Sequence, residues 1–303
     1  MSRYFSGRAL RWELVDDVLE VCLDREPCNE IGTTMLAELE FLVDTLTSNT
    51  IGARALIWHS KQSRGFCAGA DLRELHAGLI AQADRGRATL GRVTGRLPGP
   101  AKNLVERGAK RIATPIIKRR VGEFINRIHA AFDALDQLPI PTIAAVHGVC
   151  LGGGLELALT ADIIVADKSA RFGFPELRLG LIPGFGGLPR LSRDVGNAVV
   201  RDLLFTGRTI RASRAFEVGL VSQVVARGEA LSVARAVAKQ TLRFDSVVTG
   251  RAKAFAKPLP REDLDREKAL FLELITDPRV LRALTTFVED DGPMPWLPKD
   301  NAS

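Results

Sequence analysis

The most informative segment of the sequence is Val146-His-Gly-Val-Cys-Leu-Gly-Gly-Gly-Leu-Glu-Leu-Ala158. Its apolar start predicts a buried strand, and its glycine triplet predicts a turn into a helix. Glycines allow backbone conformations closed to other residues and let a ligand approach the chain, while free N–H groups at a helix start favour a developing negative charge. Gly152-Gly-Gly154 is therefore either an ordinary strand-to-helix turn or an oxyanion hole. No GK[ST] follows, so a phosphate loop is excluded.

Two acidic residues on or near this stretch are candidates for proton transfer. Glu156 lies two residues inside the predicted helix, where it is either a catalytic group or a surface acid that compensates the helix dipole. Glu176 follows Pro175 among apolar residues, a setting that raises a carboxyl pKa and suits it to proton transfer. The competing interpretation of Glu176 is a loop acid that is hydrogen-bonded to the backbone.

Strand and helix patterns alternate outward from this stretch. From about Ala198 the pattern is mostly helical. This alternation favours an α/β fold with buried sheet strands. The predicted strands are Val18–Leu23, Ala53–His59, Thr142–Val146 and Ile163–Ala166, and the main predicted helices are Thr33–Leu46, Leu155–Ala161, Ala230–Phe244 and Leu264–Asp290.

Composition excludes several classes of protein. A chain of 303 residues that is 46% hydrophobic and 26% charged can bury a large core, which excludes disorder and a coiled coil. No apolar run approaches the ~18 to 20 residues that a membrane span needs. The first residues carry charges at the positions where a secretory signal would have its apolar segment. We therefore expect a soluble, cytoplasmic protein. The sparse residues Cys22, Cys28, Cys67 and Cys150 predict reduced thiols, and the four histidines lack metal-ligand spacing, so no metal site is expected.

The net charge of +6 is concentrated in one segment. Between Asp84 and Arg120 stand eleven basic and two acidic residues, a net charge of +9, so the remaining residues sum to −3. The segment from about 77 to 120 is also rich in glycine, has no aromatic residue and is weakly periodic, which predicts a mobile loop or a loosely helical insertion. Its charge suggests a specific anionic partner.

Several motifs, in order, resemble the crotonase family, also called the enoyl-CoA hydratase/isomerase superfamily. The resemblance implies a crotonase-like ββα superhelix with the basic insertion and a helical C-terminal trimerisation region. We expect a core over residues 1–225 and a helical region over 226–303. The motifs are Phe66-Cys-Ala-Gly-Ala-Asp-Leu72, Pro141–Ala158, Asp162-Ile-Ile-Val-Ala-Asp167, Phe172-Gly-Phe-Pro-Glu-Leu177, Leu204-Phe-Thr-Gly-Arg and Gly219-Leu-Val221.

The resemblance also implies an activity and a set of roles. Glu156 and Glu176 match two catalytic carboxylates, and retention of both favours a hydratase or dehydratase acting on an enoyl thioester. An isomerase or other enolate chemistry is the alternative. The backbone N–H groups of Ala68 and Gly153 match an oxyanion hole. No cofactor is implied beyond the coenzyme A or phosphopantetheine that the substrate carries. Residues expected to contact the substrate are Ala70, Asp71, Leu72 and Gly152.

Two departures from the family pattern bear on partners. The basic segment adds about forty residues to the usual spacing, and Phe287-Val is followed by Glu289-Asp-Asp291, where many relatives carry lysine or arginine. One hypothesis covers both: an acyl carrier protein docks on Arg107, Lys110 and Arg111. The alternatives are contacts to coenzyme A phosphates, an acidic acyl chain or a solvated loop. Nucleic acid is disfavoured because the segment lacks an aromatic stacking platform. The resemblance implies a homotrimer or hexamer.

Overall fold

The computed structural model describes residues 4–48, 50–81 and 99–289, with residues 99–117 described as backbone only. Two sheets of mixed direction form its centre. The larger sheet has seven strands, and five of them run parallel. In sheet order its strands are β1 (Tyr4–Ser6), β2 (Leu10–Val15), β3 (Val18–Leu23), β4 (Ala55–Ser60), β6 (Thr142–Val146), β8 (Ile163–Asp167) and β11 (Gln223–Val225). The α/β prediction is confirmed.

The smaller sheet carries the segments that matter for function. Its order is β10 (Thr209–Arg211), β9 (Arg171–Gly173), β7 (Val149–Leu151) and β5 (Gly65–Cys67). The strands β5, β7 and β9 are parallel, so their carboxyl ends meet at one edge. The loops that leave this edge hold the glycine triplet and both candidate carboxylates.

Helices connect and cover the sheets. In chain order they are α1 (Thr33–Thr47), α2 (72–81), α3 (Gly99–Asp136), α4 (Gly153–Ala158), α5 (Gly187–Val195), α6 (Asn197–Thr206), α7 (Ala212–Glu217), α8 (Ala230–Thr241), α9 (Ser246–Ala256), α10 (Arg261–Leu274) and α11 (Pro278–Glu289). The predicted helix Leu264–Asp290 is therefore two helices. Pro278, which fits only the first turn of a helix, begins the second.

The central strands of the large sheet are buried on both faces, which explains why β4 and β6 carry no Asp, Glu, Lys or Arg. On β4, Leu56 and Trp58 join the main core, whereas Ala55 and Ile57 point to the opposite face. The residues Ala230, Ala234 and Ala238 of α8 cover that opposite face at helical spacing. A helix of the predicted C-terminal region thus packs directly on the sheet. The boundary near 225 stays a prediction.

The basic insertion is more regular than the sequence indicated. Residues 82–98 of the segment lie outside the described residues, but from Gly99 onward the backbone is one helix of 38 residues. Pro100 is compatible with this because it lies in the first turn, where its missing N–H leaves no bond unmade. The second half is anchored by a buried stripe, which overrides weak local propensity. The stripe is Ile125, Ile128, Phe132 and Leu135.

The described parts of the chain contain no helix that is both long and apolar enough to cross a membrane. The four cysteines are free thiols, and Cys28, Cys67 and Cys150 are buried. Burial raises the pKa of the Cys67 thiol to about 12, so that thiol is neutral.

Candidate active site

A cleft of about 410 Å³ lies where the loops after β5, β7 and β9 meet. Both candidate carboxylates face it, together with Gly152 and Gly153 of the glycine triplet. Two C-terminal aromatic residues, Phe271 and Phe287, close one side. The helix that carries Phe287 is fastened to α2 by a hydrogen bond from Arg73 Nη1 to the Val288 carbonyl, 3.0 Å. The predicted residues that line the cleft are Ala68, Ala70, Asp71, Leu72, Gly152, Gly153, Glu156 and Glu176.

The glycine triplet is required by close approach. Gly152 has a φ of 49°, and a Cβ there would overlap Glu176 Oε1. A Cβ on Gly154 would overlap the Cys67 carbonyl oxygen. The triplet therefore lets α4 begin against β5 and leaves room for the Glu176 carboxyl group.

The structure corrects the expected oxyanion-hole donor Ala68. The Ala68 N–H donates to the Cys28 carbonyl at 2.9 Å, so it is not available to a ligand. Both neighbours of Ala70 pair with Ile31: the Ile31 N–H donates to Gly69 O at 2.8 Å, and the Asp71 N–H donates to Ile31 O at 3.0 Å. This extended pairing turns the Ala70 N–H to the other side of the chain.

Two N–H groups from neighbouring segments of the chain lie at the cleft. Neither the Ala70 nor the Gly153 N–H has an acceptor among the residues that the structure describes. The two segments are close, since a Cβ on Gly153 would lie 3.3 Å from the Ala70 nitrogen and one on Gly69 would lie 3.3 Å from the Gly153 nitrogen. Unpaired N–H groups from two segments at one point can hold a developing oxyanion.

Glu156 is buried, with 2% of its surface exposed, and is held by a loop. Its Oε1 accepts hydrogen bonds from the N–H groups of Phe185, 2.7 Å, and Gly187, 2.8 Å. Burial raises the pKa of this carboxyl to about 7, although the two N–H groups and the charge of Arg190 oppose the rise. Near neutral pH, Glu156 is thus able to take up and release a proton.

The carboxyl group of Glu176 is buried with fewer hydrogen-bond donors around it than that of Glu156. Glu176 begins the 3₁₀ turn Glu176–Leu179, and its Oε2 is buried without a hydrogen-bond partner among the described residues. Burial, with the nearby Glu156 carboxylate as a second cause, raises the pKa of Glu176 well above its usual range. The neutral, protonated form of Glu176 is therefore favoured.

Asp71 supports the cleft. Its Oδ1 accepts the Glu74 N–H at 2.9 Å, which makes it the N-cap of α2, and its Oδ2 pairs with Arg25. Since both oxygens are engaged by the protein, the geometry gives Asp71 a structural role at the cleft wall. Its predicted contact with substrate stays a prediction.

Comparison with known proteins shows to which family the chain belongs. The family model described as enoyl-CoA hydratase/isomerase matches residues 117–296, more than half of the chain. The chain belongs to the enoyl-CoA hydratase/isomerase family. The crotonase resemblance of the sequence is thereby confirmed.

Named relatives agree with this membership. The chain is 32% identical over 282 residues to the Arabidopsis thaliana protein named "Probable enoyl-CoA hydratase 2, mitochondrial", which covers 91% of this chain and 81% of the relative. It is 37% identical over 175 residues to the short-chain-enoyl-CoA hydratase of Clostridium acetobutylicum, covering 56% of this chain and 66% of the relative.

Solved structures share the fold. The enoyl-CoA hydratase of Bacillus anthracis superposes with a TM-score of 0.63 at 26% identity, covering 94% of this chain and 98% of that structure. An enoyl-CoA hydratase/isomerase of Mycobacterium paratuberculosis gives a TM-score of 0.73 at 21% identity, with coverage of 93% and 100%, and supports the fold alone.

Sequence reasoning missed one buried acid of this enoyl-CoA hydratase/isomerase family member. Glu267 on α10 has 5% of its surface exposed and accepts the N–H groups of Gly186, 2.7 Å, and Leu188, 2.8 Å. A signal was present in the pattern. Leu264, Glu267 and Phe271 are spaced by three and four residues, so the acid occupies a position on the apolar face of α10.

A second, apolar recess of about 230 Å³ adjoins the cleft. It lies between α2 and α3 and shares Ala70, Leu75 and Phe271 with the cleft. Its other apolar walls include Leu79, Val121, Phe124 and Ile125. A hydrocarbon chain that enters from the cleft would bury its surface here.

Proposed function

We propose that the protein adds water across the C2–C3 double bond of an enoyl-CoA thioester and catalyses the reverse dehydration. The observation that carries this is the pair Glu156 and Glu176, which face one cleft in different environments. Beside them lie two N–H groups that have no acceptor within the described part of the chain. Two carboxyl groups whose surroundings separate their pKa values are suited to act as base and acid in one reaction. The named hydratases among the relatives support the same conclusion.

Each polar group at the cleft has a separate role in the proposed reaction. The thioester carbonyl oxygen accepts hydrogen bonds from the Ala70 and Gly153 N–H groups. Ionised Glu156 takes a proton from water as the water oxygen bonds to C3, and the π electrons move toward the carbonyl oxygen. The N–H groups stabilise this enolate. The enolate then takes a proton at C2 from neutral Glu176, and a later exchange returns the proton from Glu156 to Glu176.

The proposed substrate fits the shape of the site. The thioester lies at the N–H groups, the acyl chain enters the apolar recess, and no further cofactor takes part. The Clostridium relative is named for short-chain substrates. The recess, about 230 Å³ and lined largely by apolar side chains, can bury the acyl chain beyond C3.

The test is hydration of crotonyl-CoA by the wild type and by Glu156→Gln and Glu176→Gln. Each substitution keeps size but removes proton transfer, so turnover should fall roughly 10²- to 10⁴-fold. Glu273→Gln is the matched control, because Glu273 is exposed on α10. Near wild-type turnover in both active-site variants contradicts the mechanism. Double-bond migration without water addition points instead to an isomerase.

We further propose that an acyl carrier protein can deliver the acyl group. Arg107, Lys110 and Arg111 lie on α3, in the part where the side chains are outside the described residues. The support is the segment's net charge of +9 in a chain that is otherwise acidic. Charge that aids encounter with an acidic carrier acts on association and is screened by salt.

Charge reversal tests this proposal. Changing the three residues to Glu should raise KM for a carrier-linked enoyl substrate, leave kcat nearly unchanged and spare a short pantetheine thioester. An equal rise in KM for coenzyme A and carrier substrates would indicate phosphate binding in place of a carrier. No change for either substrate would mean that the segment is a solvated helix.

A further inference from the structure

The loop over residues 184–188, whose last two residues form the start of α5, shares its N–H groups between two buried carboxyl groups. The Phe185 and Gly187 N–H groups donate to Glu156, whereas the Gly186 and Leu188 N–H groups donate to Glu267. All four donor–acceptor distances lie between 2.7 and 2.8 Å. The loop is therefore fixed from both sides, and any shift that breaks one set of bonds strains the other.

The carbonyl groups of this loop are fixed as well. Arg190 Nη1 donates to the carbonyl oxygens of Phe185, 3.1 Å, and Gly186, 3.2 Å. The guanidinium is fully buried and pairs with the buried carboxylate of Asp136 through Nε, 2.7 Å. His129 Nε2 contacts the Gly184 carbonyl at 2.9 Å. Arg190 and Glu267 thus hold opposite polar groups of one short loop.

The burial of the Glu267 carboxyl group lowers the stability of the fold unless its hydrogen bonds compensate. Glu267 is almost fully buried and forms no ion pair with any described residue, although burying an unpaired carboxyl group costs stability. Burial, followed by the proximity of Glu156, raises the pKa of Glu267 well above its usual range. Among the described residues, its two oxygens accept hydrogen bonds only from the two loop N–H groups.

We propose that Glu267 is a positioning residue for Glu156. By holding the Gly186 and Leu188 N–H groups, it orients the intervening Gly187 N–H and the adjacent Phe185 N–H, which in turn fix the Glu156 carboxylate against the cleft. This inference rests on the proposed hydration for its readout. Glu267, on α10, thus acts on catalysis through the loop and does not contact the substrate.

The first experiment is Glu267→Gln. The amide retains the shape of the side chain but presents an NH₂ group to one of the two N–H donors, so it can accept only one of the two bonds. We expect kcat for crotonyl-CoA to fall roughly 10- to 100-fold, the scale of a misplaced catalytic group. We expect KM to stay within about twofold. Glu273→Gln on the same helix should leave both values unchanged.

Double variants separate positioning from a general effect on the fold. In a Glu156→Gln background, Glu267→Gln should cause little further loss, because the group through which it acts is already gone. In a Glu176→Gln background the loss should persist. Glu267→Asp keeps the carboxylate but shortens its reach. It should recover part of the activity that Glu267→Gln loses.

Binding of butyryl-CoA, a saturated thioester that cannot be hydrated, reports folding independently of turnover. If Glu267→Gln does not bind it, Glu267→Asp is used in the same double variants. A wild-type kcat in a Glu267 variant that binds butyryl-CoA would overturn the proposal. So would an equal loss of kcat on substitution of Glu267 in the presence and in the absence of Glu156. A wild-type protein that binds butyryl-CoA but does not hydrate crotonyl-CoA would overturn the proposed function instead.

Discussion

At the scale of the residue, Glu156 and Glu176 differ through their surroundings. Two N–H donors and Arg190 favour the ionised form of Glu156, whereas Glu176 keeps one buried oxygen without a partner among the described residues. The order of the two pKa values assigns Glu156 as base and Glu176 as acid in hydration. In dehydration the roles reverse.

This assignment predicts a bell-shaped pH dependence of kcat/KM for hydration. The base must be ionised, and burial raises the pKa of Glu156 to about 7, so activity should be lost as the pH falls through about 7. The acid must be protonated, and the pKa of Glu176 is raised well above its usual range, so activity should fall again at alkaline pH. Both flanks of the pH profile report interacting carboxyl groups, since Glu156 raises the pKa of Glu176 and of Glu267. Hydration that becomes faster as the pH is lowered through 7 would contradict the assignment.

Gly152 gives a second prediction at this scale. In Gly152→Ala the new Cβ meets Glu176 Oε1, so the acid must move and kcat should fall roughly 10²-fold. Gly219→Ala is the control, because Gly219 also has a positive φ, 84°, but nothing lies near its Cβ position. An equal effect of both substitutions on kcat would mean that backbone strain, and not the contact with Glu176, is responsible.

Glu156 and Glu176 stand in motifs that the sequence shares with the family, and the structure brings both to one cleft, as expected. Their catalytic roles stay predictions. Ala68 was wrong because its N–H pairs with Cys28, forty residues earlier in the chain, and local sequence does not report which carbonyl group approaches an N–H group. Glu267 was missed because its partner loop is 81 residues away, measured to Gly186.

At the scale of the element, tertiary packing decides what propensity leaves open. Glycines and prolines argue against a helix in the basic segment, yet α3 runs from Gly99 to Asp136. Its second half contacts α1 and α10, and Phe132 is fully buried. The apolar stripe begins beyond residue 120, so its burial stabilises the second half of α3.

The recess between α2 and α3 predicts control of acyl-chain length. Leu75→Phe adds volume to a wall that the recess shares with the cleft, so kcat/KM should fall more for octenoyl-CoA than for crotonyl-CoA. Ile80→Phe on the same helix is the control, because Ile80 is exposed and lines neither cavity. The measurement is competition between the two thioesters. An unchanged ratio would show that the chain binds elsewhere.

At the scale of the whole molecule, apolar surface is exposed on and beside α9. Phe255 is 90% exposed, and Phe244, Val247 and Val248 are also exposed. An apolar surface of this kind marks an interaction site. We therefore keep the prediction of a trimer or hexamer and place part of its interface here. Light scattering should give a trimeric or hexameric mass, and Phe255→Ser with Val248→Ser should weaken assembly. A monomer at micromolar concentration would contradict the prediction.

The most direct test of the central claim is the product formed from crotonyl-CoA in D₂O. If Glu156 and Glu176 add water, the product is a 3-hydroxyacyl-CoA with one deuterium at C2, identified by mass spectrometry and NMR. Glu156→Gln and Glu176→Gln should form it at least roughly 10²-fold more slowly. Recovery of unhydrated thioester alone from the wild type, or equal rates of hydration in the wild type and both variants, would contradict the claim.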